Sequence, residues 1–247
     1  MTPLLLSNHM LITMRSALLV AIAAVVNTST ALAFTAPTNV NTVIWPLSAQ
    51  TLPTVEELGT DGFMKQLQHS QRIVPLLSSN SAGAHANIDV DIVDRLKAQL
   101  KHSDGIRGFF VTYLTLEGDQ TTADQDAVPK ALLTAMKECD NQTEIISLAC
   151  MNVVMPTGMI TMHTDKELSR RSHKTAERGE RVLKALSEQN PLVTEECKAI
   201  LAVASGSAVD DRVDSAKVAF WKEFFIKWGY QDIQKRDIAQ AMESILA

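Results

Sequence analysis

The chain has 247 residues, with 23 Lys and Arg against 28 Asp and Glu and a formal net charge of −5. Apolar residues make up 46% and charged residues 21%, a globular composition that argues against wholesale disorder, a collagen repeat or a disulfide-dense mini-protein. The mild acidity argues against a dedicated nucleic-acid binder, which would be strongly basic.

Residues 1–55 carry one charged side chain, Arg15. An apolar run, Ser16–Val26, follows it, then the polar stretch Asn27–Thr30 and then Ala31, Leu32 and Ala33. A positive start, a short apolar centre and small residues before a cleavage point form the signal-peptide pattern, and the spacing predicts a cleavable signal over residues 1–33. The apolar centre is 11 residues long, too short to cross a bilayer. Phe34 follows at once, and Ala31-Leu-Ala-Phe-Thr-Ala-Pro37 resembles the cleavage motif of bipartite plastid presequences in algae with red-lineage secondary plastids. The resemblance implies entry into a plastid, stroma or thylakoid-associated, through the secretory pathway, with Ala31, Ala33 and Phe34 as targeting residues and residues 34–88 as a transit-like segment. Residues 34–55 are rich in Thr, Asn, Ala and Pro and lack acids, but they depart from the pattern in lacking Lys and Arg. The alternative is a plain signal for secretion or an endomembrane lumen. Three cysteines, Cys139, Cys150 and Cys197, make too sparse and odd a set for a secreted disulfide framework. In one continuous helix, Cys139 and Cys150 would lie about 16 Å apart, beyond disulfide reach.

Leu58 to Leu77 predicts one short helix using Phe63, Met64, Leu67 and Val74, closed by Pro75. Residues 78–87 read as a linker. The main domain is expected from Asp89, a plausible N-cap with Ile92, Val93, Leu96 and Leu100 on one face behind it. Ile106, Phe109, Phe110, Tyr113 and Leu114 continue the helical spacing, although this stretch also has strand propensity. Residues 117–127 form an acidic loop, and Pro129 sits at the first position of a helix with Leu132, Leu133 and Met136. Then come an apolar run from Ile145 to Thr164, a charged helix over 166–189, a helix over 192–204, and two last helices separated by Gly229 and Asp232. The prediction is an all-α fold: one bundle-like domain of about seven helices over residues 89–247.

Four features carry candidate chemistry. In the first, Met151, Met155, Met159 and Met162 recur at spacings of four, four and three, with Cys150 and His163 beside them. Cys150, Met155, Met159, Met162 and His163 together are a soft ligand set suited to Cu(I) or haem, yet a Met stripe at this spacing is ordinarily core. The run is long enough to span a membrane but too rich in Ser, Asn, Pro, Thr and His, and a central buried helix bent near Pro156 fits it better. In the second, Arg171, Lys174, Arg178 and Arg181 line one helix face, and residues 165–184 hold seven bases against four acids. Such a face suits an acidic protein, an anionic lipid surface or a phosphate. The structural alternative is a solvated helix tied by Glu167/Arg171, Glu177/Arg181 and Glu180/Lys184 pairs. Lys174 and Arg178 lack an acid four residues earlier and stand out as contact residues.

The third feature is a C-terminal aromatic group, Phe220, Trp221, Phe224, Phe225, Trp228 and Tyr230, which serves as a core anchor or as a partner surface. The fourth is the pairing of His163 with Glu167 and His173 with Glu177, which lacks the spacing of a di-iron bundle. A deep polar pocket around His163 or His173 would support an enzyme of unrecognised type. No motif calls for a cofactor. The reading is a non-enzymatic helical plastid protein that binds a protein partner or a membrane surface. A soft-metal, haem or pigment binder is the alternative, and oligomeric state is open.

Overall fold

The structure, a computed structural model, describes residues 51–79, 86–117, 121–206 and 213–247. The expected targeting residues Ala31, Ala33 and Phe34 lie outside the described residues, as does most of the expected linker. The described residues belong to one unit, Gln50–Ala247, and they form helices with no strand among them. The elements are α1 (Val55–Thr60), α2 (Phe63–Ile73), α3 (Leu76–Ser79), α4 (Ala86–Leu100), α5 (Ser103–Thr115), a 3-10 turn (Thr122–Asp124), α6 (Lys130–Glu138), α7 (Gln142–Met162), α8 (Lys166–Ser187), α9 (Pro191–Ser205), α10 (Ser215–Trp228) and α11 (Asp232–Leu246).

Local chemistry sets most of these boundaries. Thr54 and Glu57 form a reciprocal capping box that opens α1. Asp165, Asn190 and Asp214 each accept backbone N–H bonds that open α8, α9 and α10. Gly206 and Gly229 end α9 and α10 in the left-handed region, at φ 64° and 66°, where glycine carries no Cβ penalty. The ambiguous stretch around Phe109 and Phe110 is helical, because its apolar side chains pack along one helix against α2, α4 and α7.

Two expectations need correction. The folded unit begins well before Asp89: α1 packs on α4, and α2 packs closely on α5. Leu58, Ile73, Val74 and Leu77 are fully buried, so residues 55–79 are part of the core. Asp89 is no N-cap, since α4 already starts at Ala86. Polar side chains obscured this region, because its crossings are lined by Gln66, Ser70 and Gln99. Gln99 donates to both Gln66 Oε1 (2.9 Å) and Ser70 Oγ (2.8 Å), and Gln66 donates to the Leu58 carbonyl (2.8 Å). A hydrogen-bonded interior of this kind leaves little apolar periodicity to read.

α7 is the spine. It touches α5, α6, α8, α9 and α11. Its length and apolar composition would suit a membrane span, but 61% of its most apolar window is buried against neighbouring helices. The helix runs through Pro156 as one element. Two glycines permit its close contacts. A Cβ on Gly158 would lie 2.6 Å from the Tyr230 ring, and one on Gly179 would lie 2.8 Å from Val153.

The α2–α5 crossing is as tight and brings backbone close as well. A Cβ on Gly108 would meet Gln66 Cβ at 2.6 Å and the Gln66 backbone carbon at 3.0 Å. Gly108→Ala should therefore lower stability by about 1–3 kcal/mol through overpacking, although helix propensity alone would raise it by about 1 kcal/mol. A Cβ on Gly59 of α1 would meet nothing within 4 Å, so Gly59→Ala should gain up to about 1 kcal/mol. Urea unfolding of both variants checks the pair; equal gains would refute the close crossing.

Candidate functional site

The basic stripe folds inward. Arg178 is 2% exposed, and every one of its guanidinium N–H groups has an acceptor. Nε and one terminal nitrogen grip Asp124 at 2.7 and 2.6 Å, and that same nitrogen also donates to Thr121 Oγ1 at 2.9 Å. The other terminal nitrogen donates to the Leu114 and Leu116 carbonyls at 2.7 and 3.0 Å, at the C-terminal end of α5. Lys174 reaches the same Asp124 carboxylate at 3.0 Å. Arg181 donates to the Ala123 and Gln125 carbonyls, and Arg171 bridges Glu167 (2.9 Å) and Glu117 (3.4 Å). The four residues expected to meet an external anion instead fasten the acidic loop around Asp124 onto α8. The Arg178 hydrogen bonds, followed by those from Thr121 and Lys174, hold the Asp124 carboxyl far below the usual carboxylate range.

Of the three ion pairs expected within α8, Glu167–Arg171 forms. Glu177 pairs with His173 at 3.4 Å, Arg181 takes backbone carbonyls, and Lys184 donates to the Ser244 carbonyl of α11 at 3.4 Å. Glu180 stands half-buried, and burial raises its carboxyl above the ordinary value.

The aromatic group is mainly a core anchor. Trp221, Phe224, Phe225 and Tyr230 are buried, while Phe220 and Trp228 are half-buried. Trp221 Nε1 donates to Glu196 Oε1 at 2.8 Å, and Lys217 pairs with the other Glu196 oxygen at 2.8 Å. These two bonds satisfy a carboxylate that is 3% exposed, and they seat α10 on α9. Tyr230 turns away to cover Gly158 of α7.

The soft ligand set does not converge. Cys150 is fully buried, Met155 is 3% exposed, and Met162 is 44% exposed at the end of α7. Twelve residues of helix separate Cys150 from Met162, about 18 Å along the axis. His163 lies one residue further on, and Met159 is half-buried between the two ends. Cys150 instead lies closed off inside the bundle, as does Cys197 of α9.

What remains open to solvent lies at the α7–α8 corner. The α7 helix stops at Met162, and Asp165 caps α8 by accepting from the Glu167 and Leu168 N–H groups at 2.7 and 3.1 Å. Ser169 Oγ donates to the Ile160 carbonyl (2.8 Å), and His163 Nε2 lies 3.2 Å from Ser172 Oγ. The reversal leaves a groove of about 370 Å³ lined by Ile160, His163, Thr164, Lys166, Ser169, Arg170 and His173. The break at residues 163–165 brings both histidines to one opening. The lining holds cationic and hydroxyl groups and no carboxylate, so it suits an anionic group. Arg170 is already engaged by Glu167 at 2.8 and 2.6 Å. Lys166 has no ion-pair partner among the described residues. No carboxylate orients the other ring nitrogen of His163 among the described residues, so the His163–Ser172 contact lacks the third member of a nucleophilic triad.

The same end of the unit exposes apolar surface. Met162 (44% exposed) ends α7, and Ile233 (45%) lies in the first turn of α11, beside Gln234, which donates to Thr161 at 2.7 Å. Ile226 (72% exposed) sits one turn before Tyr230.

Arg178→Ala should cost about 3–5 kcal/mol, because it strands buried acceptors and a carboxylate. Lys174→Ala should cost less than about 1 kcal/mol, as for exposed pairs. Asp124 is an acid with a depressed folded-state pKa. Its contribution is therefore full above the unfolded value, about 4, and is lost as pH falls below it. Thermal melts from pH 7 to pH 2 should show a steeper acid loss for the wild type than for Asp124→Asn.

No curated protein and no solved structure matches the chain. One family model, described as uncharacterised conserved protein UCP020893, matches residues 62–245 and so includes α2 and α3 along with the later helices. The chain belongs to the UCP020893 family of uncharacterised conserved proteins.

Proposed function

We propose that this chain is a non-enzymatic helical protein of a plastid that acts by binding another protein, in the assembly or stabilisation of a plastid complex. The observation that supports this reading is the composition of one end of the folded unit. There Met162 is exposed one residue before His163 of the groove that Lys166, Ser169 and His173 also line, and Ile233 and Ile226 are exposed on α11 and α10, whose Gln234 and neighbouring Tyr230 reach Thr161 and Gly158 of α7. Apolar side chains beside polar, cationic ones are the makings of a contact surface with an apolar centre and a charged rim. Elsewhere the conspicuous charge of α8 is spent within the fold, on the loop around Asp124. The plastid address rests on the leader motif at Ala31, Ala33 and Phe34.

A second reading, peripheral contact with an anionic membrane surface, is favoured by the cationic groove lining. Two experiments test and separate these readings. A C-terminal fluorescent fusion in an alga with secondary plastids should enter the plastid, and Phe34→Ala should divert it; secretion of both forms would discard the plastid address. In plastid extracts, the wild type should migrate in a native assembly above its own mass. Ile226→Asp combined with Ile233→Asp should release it to its own mass with an unchanged melting temperature. Wild type at its own mass, sedimenting with phosphatidylglycerol but not phosphatidylcholine vesicles, would replace the protein partner with the membrane.

A further inference from the structure

The groove at the α7–α8 corner is held in shape by both helices. Ser169 of α8 donates to the Ile160 carbonyl of α7 at 2.8 Å, and His163 Nε2 meets Ser172 Oγ at 3.2 Å. The rest of the lining keeps donors to spare. Arg170 grips Glu167 through Nε and one terminal nitrogen at 2.8 and 2.6 Å, which steadies the guanidinium and leaves its other terminal nitrogen unpartnered among the described residues. His173 meets Glu177 through Nδ1 at 3.4 Å, and its Nε2 has no partner among them. The Thr164 hydroxyl is also unpartnered among the described residues.

Lys166 differs from the other bases of α8. Arg170, Arg171, Lys174, Arg178, Arg181 and Lys184 each hold an acid or a backbone carbonyl. Lys166 holds neither among the described residues, and its ammonium brings three donors to the groove. The neighbouring carboxylates are already engaged: Asp165 accepts from the Glu167 and Leu168 N–H groups, Glu167 holds two arginines, and Glu177 holds His173. The start of α8 is therefore capped, and what the groove offers a ligand is side-chain donors with no carboxylate among them.

We infer that this groove binds a phosphate monoester group, with Lys166 and Arg170 as its charged contacts and His163, His173 and Thr164 as its hydrogen-bonding wall. A phosphate monoester carries about two negative charges on three acceptor oxygens, so it can meet donors from several sides at once. Ammonium and guanidinium groups make charge-assisted bonds to such oxygens. The groove volume of about 370 Å³ falls within the range of small-ligand sites, roughly 300–1,000 Å³, and leaves room beside Ile160 for a short organic group beyond the phosphate. The site goes beyond the partner reading and holds whether or not a protein covers Ile226 and Ile233.

The test titrates the full chain with inorganic phosphate and with glycerol phosphate at neutral pH and physiological salt, where diffuse surface attraction is screened. Binding should saturate. The ring NMR signals of His163 and His173 should move, and those of buried His69 should stay in place. Lys166→Ala and Arg170→Ala should each weaken binding roughly tenfold, the loss of one charge-assisted bond. Both side chains are exposed, so the melting temperature should not change. Lys174→Ala removes the same charge on the Asp124 side and should leave affinity unchanged. Saturation by glycerol phosphate assigns the site to a soluble monoester. Binding confined to phosphatidylcholine vesicles that contain phosphatidic acid, and lost in the Lys166 and Arg170 variants, assigns it to a lipid headgroup. Binding of neither source, binding that moves neither histidine ring, or an equal loss of affinity in Lys174→Ala would overturn the inference.

Discussion

A single buried guanidinium organises the middle of this molecule. Arg178 is shut away from water, which makes any unpaired donor on it costly, and the fold supplies an acceptor for each of its five N–H bonds. Those acceptors come from three places: the last carbonyls of α5, the hydroxyl of Thr121 and the carboxylate of Asp124. A planar, forked donor is the side chain that meets all three at once, and a lysine ammonium in its place would leave several unmet. The loop after α5 has little apolar content of its own, so its position depends on this charge, with Lys174, Arg171 and Arg181 adding bonds along the same edge.

The packing on either side follows from α7. It is apolar around most of its circumference, which suits a helix covered on several sides, and its neighbours come from both halves of the chain. Small residues set how near those neighbours approach: Gly179 lets α8 lie against Val153, and Gly158 receives the Tyr230 ring. α10 is held differently. It packs chiefly on α9, through the buried Glu196 with its tryptophan and lysine partners, while Trp221 meets Phe220 and Phe224 edge to face within α10 itself. The polar anchor thus fixes the aromatic helix in register, while the rings supply the buried area.

The all-α class and most helices after Asp89 were legible in the sequence, because Ile92, Leu96 and Leu100, or Leu132 and Met136, repeat at the helical period. The helices before it were obscure, since Gln66, Ser70 and Gln99 occupy buried positions that a hydropathy pattern assigns to solvent. Charge on α8 was plain to see, but its destination was not. Lys174 and Arg178 have the same sign and similar local spacing, yet one is half exposed and the other buried, a difference set by a loop more than 50 residues away. The corner groove was hidden for a related reason: it exists because the helix breaks at residues 163–165 and turns back, so His163 and His173 line one opening. The aromatic group was the reverse case, for its concentration in one C-terminal helix already suggested the anchor that Trp221, Phe224 and Phe225 form.

With the Arg178 side of α8 tied to the loop around Asp124, the surface proposed for a partner is the end of the bundle where α7 stops and α11 starts. That assignment depends on Arg178 being a fastener and not a contact residue. The most direct measurement is a double-mutant cycle on folding stability with Arg178→Ala, Asp124→Ala and the double variant. A coupling energy of about 2–3 kcal/mol is expected for a buried, two-pronged pair. Coupling below about 0.5 kcal/mol would mean that the two residues do not depend on one another, and the basic face of α8 would then return as a candidate surface for an external anion.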